Sequence, residues 1–205
     1  MPYFGGSTLD RVLAGLRTRA VRSERGDVLH QLVCSSRPTT KFQGGPIGAW
    51  AELERLAYPA AVARLGAELA AGLAHAHERG VRHGALKPSN VLIADDGTPM
   101  LFDFPLTEDT SLHGSPDFGV DIYALGLLLH ELLTGDLPIP DGPGGLPTGG
   151  DRDPTLPKGL APIVRRCLAD PTKRYPSARA LQKDLERFAE RRPFWQRMRG
   201  WVSRP

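Results

Sequence analysis

The segment that most constrains the fold is residues 121–134, DIYALGLLLHELLT, which is apolar on nearly every helical face. A helix without a polar face must be surrounded by other parts of a protein or by lipid. This segment is too short to span a bilayer, and it carries Asp121, His130 and Glu131. The pattern therefore predicts a buried central helix that ends at Gly135, with other helices packed around it.

Three amphipathic segments can provide that packing. Apolar residues recur at helical spacing from Tyr58 to Gly80, with Pro59 placed in the first turn. Two further helices are predicted near residues 160–168 and 178–188, the second of them behind a Ser177 N-cap.

A β-hairpin is predicted between the first of these helices and the central one. The apolar runs 91–93 and 100–102 flank Asp96-Gly97, which is a strong turn signal. If the turn centres on that pair, Asn90 faces Asp103 across the open end of the hairpin. A bulge or Pro99 would shift this register by one residue.

Composition restricts the class of protein. A chain of 205 residues is long enough for one well-buried domain. Its two cysteines, Cys34 and Cys167, lie too far apart in sequence for a disulfide scaffold or a zinc cluster, and they fit a reducing cytoplasm. The N-terminal residues do not resemble a signal peptide, and no apolar run is long enough for a transmembrane helix.

Charge is concentrated at the C-terminus. Residues 191–205, RRPFWQRMRGWVSRP, contain five arginines and no acid, whereas the whole chain has a net charge of only +3, so the other 190 residues carry −2. A nearly neutral body argues against nucleic-acid binding, which needs a basic face.

The tail itself allows two interpretations. Its large apolar side chains fall on one helical face, with the arginines mainly off it: Phe194, Trp195, Met198, Trp201 and Val202. Such a helix suits a membrane interface, which would place the protein at a membrane surface. Alternatively, the tail is a frayed extension whose aromatic side chains pack back on the helical body.

The order of elements resembles the large helical lobe of Ser/Thr protein kinases, in particular the bacterial eukaryotic-like type. The resemblance rests on HGALKPSN, on Asp103-Phe104 thirteen residues after Asn90, and on DIYALG, LLTG and KRYPSA. It covers roughly residues 1–190, and MPYFGGSTLDRVL resembles the hinge and the helix that follows it. The implied fold is mainly α: a protein-kinase-like C-terminal lobe with one small β-hairpin, and with the small lobe absent from this chain.

This resemblance also sets the expected domain limits. Residues 1–57 are a hinge-like segment, the following helix and an irregular insertion, in which 20–50 form a long connection with at most one short helix. Residues 58–190 form the helical lobe, interrupted by a Pro/Gly loop at 136–157. Residues 191–205 are the basic aromatic tail.

Several residues depart from the chemistry that the family needs. The catalytic loop, H-R-D in active kinases, is His83-Gly84-Ala85, so the position of the catalytic aspartate holds an alanine without a proton acceptor. The metal-binding D-F-G is Asp103-Phe104-Pro105. No Gly-rich phosphate loop and no A-P-E segment is found in residues 1–205.

Other residues keep the family's types. By resemblance, Lys87, Asn90 and Asp103 would contact phosphate and magnesium, with Asn90 and Asp103 forming a weak metal site at best. The alternative is that they are vestigial and make local hydrogen bonds, with Asn90 capping a turn and Asp103 accepting backbone amides.

Four residues have structural roles by resemblance. His83 packs on the Phe104 ring, and Asp121 accepts hydrogen bonds from catalytic-loop amides. Arg174 would pair with the glutamate of the missing A-P-E segment, so we expect it to be solvated or paired with a nearby acid.

The sequence leads to one main functional hypothesis and two alternatives. The first is a degenerate kinase-like domain that is inactive and acts as a binding or scaffold module for an unknown protein partner. Its exposed apolar residues would include Met1, Tyr3, Phe4 and the hairpin edge. The second is the C-terminal part of a Ser/Thr kinase whose small lobe is supplied elsewhere, and only then do we expect ATP and magnesium as cofactors. The third is a decaying fragment without a role.

Overall fold

The structure is a computed structural model that describes residues 6–18, 26–36, 48–104, 117–139 and 155–190. These residues are mostly helical. The helices are α1 Leu9–Thr18, α2 Asp27–Ser35, α3 Ala49–Leu53, α4 Tyr58–His77, α5 Gly119–Thr134, α6 Ala161–Leu168 and α7 Ala178–Ala189. The strands β1 Ser7–Thr8, β2 Val91–Ile93 and β3 Pro99–Leu101 form one antiparallel sheet in the order β1-β2-β3.

Helix α5 is the centre of the core, as its apolar sequence predicts. Leu125 and Leu129 are completely buried, and α5 packs against α1, α4 and α6. The helix ends at Gly135, whose φ of +84° is a conformation that glycine adopts without strain. The Gly135 amide donates to the Glu131 carbonyl oxygen at 2.7 Å, which completes the C-cap.

The polar side chains of α5 are buried with partners. Glu131 forms an ion pair with Arg17 of α1, and the ring of His130 lies 2.9 Å from the Asp136 carbonyl oxygen. Burial raises the pKa of Glu131, and the positive charge of Arg17 opposes that rise. An apolar helix can thus carry ionisable groups because neighbouring elements supply the missing hydrogen bonds.

The flanking helices are confirmed where the sequence places them. Helix α4 begins at Tyr58, has Pro59 in its first turn and is followed by Gly80 at a φ of +77°. Helix α7 begins behind Ser177, whose hydroxyl accepts a hydrogen bond from the Ala180 amide at 3.2 Å. Helix α6 occupies residues 161–168, within the predicted span.

The predicted hairpin is present, but its register differs by one residue from the preferred one. Val91 pairs with Leu101, and Ile93 pairs with Pro99, so Asn90 lies opposite Phe102 rather than Asp103. The Phe102 amide donates to the Asn90 carbonyl oxygen at 3.2 Å. The strand begins at Pro99, whose lack of an N–H suits the first residue of an edge strand.

A third strand, β1, joins the hairpin and is not predicted by the sequence. Ser7 pairs with Ile93 and Thr8 with Leu92, on the opposite side of β2 from β3. Two residues are too few for the alternating pattern that identifies a strand. The pairing therefore depends on how α1 docks against the lobe.

The described residues between α1 and α4 form two helices, where the sequence predicts at most one. Helix α2 buries Val28, Leu29, Leu32 and Val33, and the short helix α3 buries Trp50 and Leu53. The indole Nε1 of Trp50 donates to the Asp95 carbonyl oxygen at 3.0 Å, which ties α3 to the hairpin turn.

Some sequence predictions lie outside the described residues. They include Met1, Tyr3 and Phe4, Pro105, most of the Pro/Gly loop at 136–157, and the whole of the tail 191–205.

Candidate functional site

The segment from Val81 to Asn90 connects α4 to β2 and corresponds to the predicted catalytic loop. It runs without regular structure to Lys87 and then makes a 3-10 turn over Pro88–Asn90. Gly84 has a φ of +70°, and the Ala85 amide donates to the His83 carbonyl oxygen at 2.8 Å. The loop therefore bends sharply just before Ala85.

Asp121 stabilises this bend by accepting hydrogen bonds from its backbone. Its carboxylate is completely buried at the start of α5, where an acid is favoured by the helix dipole. One oxygen accepts from the His83 amide and the other from the Gly84 amide, both at 2.8 Å. The geometry is the one that the resemblance to kinases implies for this residue.

A third donor to Asp121 is His77, the last residue of α4. Its Nε2 lies 2.8 Å from the carboxylate, and its ring stacks on Phe118 at a centroid distance of 4.3 Å. Sequence reasoning missed His77, since a histidine at a helix end is usually an exposed, favourable charge. Its partner is 44 residues away along the chain, so no local pattern identifies it.

The environment of Asp121 determines its protonation state. Burial by itself raises the pKa of this carboxyl, but the hydrogen bonds from His77, Gly84 and His83 together outweigh burial and hold the pKa below its usual range. Asp121 is therefore an ionised acceptor of three hydrogen bonds.

Asn90 and Asp103 do meet, despite the shifted register. Asn90 is buried, and its Nδ2 donates to the Ala85 carbonyl oxygen at 3.0 Å and to Asp103 Oδ2 at 3.1 Å. Asp103 has a φ of +67°, a left-handed conformation that aspartate tolerates better than most residues. Its side chain reaches Asn90 from beyond the end of β3.

These two residues fit a magnesium ion poorly as they are placed. Magnesium prefers carboxylate oxygens and water, and here one carboxylate oxygen of Asp103 already accepts a hydrogen bond from the amide of Asn90. A cation here would have two protein ligand residues, Asp103 and Asn90, with waters completing its coordination, which makes a weak site. Within the described residues, no group of three or more His, Cys, Asp or Glu side chains could hold a metal ion.

Among the other residues of the loop, some side chains are buried and others are exposed. His83 is buried, and its ring lies against Phe104 at a centroid distance of 4.5 Å. Ala85 and Lys87 are both exposed, so the position that by resemblance would hold the catalytic acid has a methyl group at the surface. Lys87 has no ionic partner among the described residues.

The partners of Arg174 are not those expected from the sequence, which predicts a solvated charge or a pair with a nearby acid. Its guanidinium donates to the carbonyl oxygens of Ala169 at 2.8 Å and Gly119 at 3.2 Å, and it lies over the Tyr123 ring at 4.7 Å. Backbone carbonyls and an aromatic face satisfy a guanidinium without a carboxylate. The contacts join α5 to the segment after α6.

Comparison with known proteins identifies the relatives of this chain. The kinase PkaA of Streptomyces coelicolor is 34% identical over 163 residues, which cover 64% of this chain and 30% of PkaA. The kinase PknL of Mycobacterium tuberculosis is 32% identical over 153 residues, which cover 58% of this chain and 38% of PknL. This chain is homologous to bacterial serine/threonine protein kinases.

The fold of this kinase homologue agrees with that result. The crystal structure of the PknI kinase domain of Mycobacterium tuberculosis matches 91% of the chain with a TM-score of 0.59 at 22% sequence identity. Only 64% of the PknI chain is covered, which fits its helical C-terminal lobe. No family model matches the chain, and the chain spans about a third of the length of the curated relatives PkaA and PknL.

Proposed function

We propose that this kinase homologue is catalytically inactive and acts as a binding or scaffold module for a protein partner. One observation carries the proposal: Ala85 occupies the exposed loop position where an active kinase has its catalytic aspartate. An alanine methyl cannot accept the proton of a substrate hydroxyl. General-base catalysis typically contributes about 10²–10⁴-fold to a rate.

Among the described residues, the carboxylates of Asp121 and Asp103 contact the loop, and neither takes over this role. Asp121 is buried and accepts three hydrogen bonds, so it is closed to a substrate. Asp103 accepts a hydrogen bond from Asn90 and stands, by resemblance, where the metal would be held rather than where the proton is accepted. The loop thus keeps the hydrogen bonds that define its shape, while the group that performs the chemistry is replaced.

The experiment is a phosphoryl-transfer assay with the purified chain, labelled ATP, magnesium and a generic basic protein substrate. We expect no incorporation above a boiled control, both for the natural sequence and for Ala85→Asp, because residues 1–205 contain no Gly-rich phosphate loop. An active kinase in the same buffer is the positive control. Magnesium-dependent incorporation by the natural chain would contradict the proposal.

A second candidate is supported by the length of the relatives. Because the chain spans about a third of PkaA and PknL, it could supply the helical lobe of a kinase whose small lobe lies elsewhere. ATP and magnesium would then be its cofactors. An in-frame Gly-rich loop and a lysine-bearing strand encoded upstream of Met1 would favour this candidate over a scaffold.

Location and partners stay predictions. None of the described helices combines the length and apolar character that crossing a membrane requires. We expect no nucleic-acid partner, because the chain outside its basic tail carries a net negative charge. Peripheral contact with an anionic membrane is one of the two alternatives for residues 191–205, and the proteolysis experiment described below distinguishes it from packing of the tail on the helical body.

A further inference from the structure

The structure contains a cleft that is separate from the kinase-like loop. It lies between α3, α4 and the hairpin turn, and it has a volume of about 150 Å³. We call it the α3–α4 cleft; its lining includes Glu52, Leu53, Arg64, Leu65, Glu68 and Pro99. A protein cavity of about 150 Å³ holds a ring the size of benzene, so this cleft has room for one aromatic side chain.

The rim of the α3–α4 cleft is acidic. Glu52 and Glu68 share the single guanidinium of Arg64, at 3.6 Å and 3.1 Å, and the carboxylate-bearing side chains are 60% and 46% exposed. Around them, residues 49–55, the second and third turns of α4 and the hairpin turn have a net charge of −3: Glu52, Glu54, Glu68, Asp95 and Asp96 against Arg55 and Arg64. The cleft therefore combines an apolar lining with a negative surround.

The direction of α7 brings the end of the chain near this cleft. Arg179, at the start of α7, donates to Glu78 beyond the end of α4, at 2.5 Å. Leu185, further along α7, packs at Gly66 in the first half of α4. The two helices are therefore antiparallel. Helix α7 ends at Ala189 beside the N-terminal turns of α4, which contribute Arg64 and Leu65 to the cleft.

Fifteen residues follow Glu190, and they can reach the cleft. Gly66 faces α7, while Arg64 and Glu68 lie on the opposite side of α4. Passing halfway around a helix of about 10–12 Å diameter is a path of roughly 16–19 Å. Five or six extended residues, at about 3.3–3.6 Å each, cover it. The remaining nine or so residues include Trp201.

The chemistry of this tail is complementary to the cleft. Residues 191–205 offer three large aromatic side chains, Phe194, Trp195 and Trp201, among five arginines and no acid. We propose that residues 191–205 bind within the same chain to the α3–α4 cleft, with one aromatic ring inside it and arginines against its acidic rim. The contact is independent of the proposed loss of catalysis, and it keeps the arginines from an anionic membrane.

The test is limited proteolysis of the full chain with chymotrypsin, following cleavage after Phe194, Trp195, Met198 and Trp201 by mass spectrometry. Glu52→Lys/Glu68→Lys reverses the rim charges. The matched control, Asp10→Lys/Asp170→Lys, makes the same change in charge at exposed acids that do not line the cleft. We expect tail cleavage at least threefold faster in the rim variant than in the natural chain, and no acceleration in the control.

Two further measurements complete the test. Arg197→Glu/Arg199→Glu, added to the rim variant, restores the charge complementarity and should slow cleavage again. If the rim variant does not fold by circular dichroism, Glu52→Gln/Glu68→Gln replaces it with the same expected direction. Equal cleavage in the natural chain, rim variant and control would overturn the proposal. Protection that is present only with phosphatidylserine-containing vesicles would also overturn it, and would assign the tail to the membrane.

Discussion

Replacing Asp121 with alanine removes the acceptor that holds the bend of the loop. Two buried donors then lose their partner: the His83 amide and His77 Nε2, whose side chain is only 8% exposed. The Gly84 amide also loses its partner but lies at an exposed residue, where water can replace the carboxylate. Each buried donor left unsatisfied costs about 1–3 kcal/mol, and the cavity adds to that, so we expect a loss of about 3–5 kcal/mol.

The assay is urea unfolding followed by far-ultraviolet circular dichroism, with thermal melting beside it. A domain of this size loses about 2–4 °C of Tm per kcal/mol, so Asp121→Ala should lower Tm by roughly 6–20 °C. Asp121→Asn keeps the shape and one acceptor, and should cost about 1–3 kcal/mol. Asp136→Ala, at an exposed acid beyond the other end of α5, is the control and should change stability by less than about 0.5 kcal/mol.

The pH dependence of stability is a second test of the role of Asp121. Because the folded pKa of Asp121 lies below its usual value of about 3.9, ionised Asp121 stabilises the fold above about pH 4. That contribution is lost as the pH falls through the folded pKa. The stability difference between the natural chain and Asp121→Asn should therefore shrink below about pH 4. A loss under about 1 kcal/mol for Asp121→Ala, or a difference that grows on acidification, would refute the argument.

Three other expectations follow from particular contacts. Gly126→Ala places a Cβ 2.5 Å from the Cβ of Cys167, which cannot move without its helix, and should lower the free energy of unfolding by about 1–3 kcal/mol. Gly66→Ala meets mainly the flexible end of a leucine side chain, and should lower it by less. Arg174→Lys keeps the charge but loses the planar fork that reaches two carbonyls, and should lower the free energy of unfolding by about 1 kcal/mol in the same urea assay. Millimolar Mg-ATP should leave Tm within about 1 °C, because residues 1–205 contain no Gly-rich phosphate loop and Asn90 and Asp103 alone make a weak metal site. A shift of several degrees would show binding.

Most of the candidate site could be located from the sequence, but not its internal geometry. The pairing of Asn90 with Asp103 was expected from a register that the structure shifts by one residue. The two side chains meet nevertheless, because Asp103 lies past the strand and its positive φ turns the chain back toward the loop. A side-chain contact at the end of a hairpin depends on backbone conformation as well as on register.

The ends of α4, α5 and α7 were determined by the sequence itself. Apolar residues at helical spacing, Pro59 in a first turn, Gly135 after a last turn and the Ser177 N-cap all act within a few residues of the chain. The physical interactions behind these signals are local, so they operate before any tertiary contact forms.

The tertiary structure alone decided how buried polar groups are satisfied. Asp121 receives donors from residues 37 to 44 positions away, and Arg174 finds a carbonyl 55 positions away where an acid or solvent was expected. Strand β1 likewise pairs with β2 across more than 80 residues. The sequence shows that a buried charge needs partners, but only the packing of helices brings particular donors within 3 Å, since many donors along the chain could meet the same need.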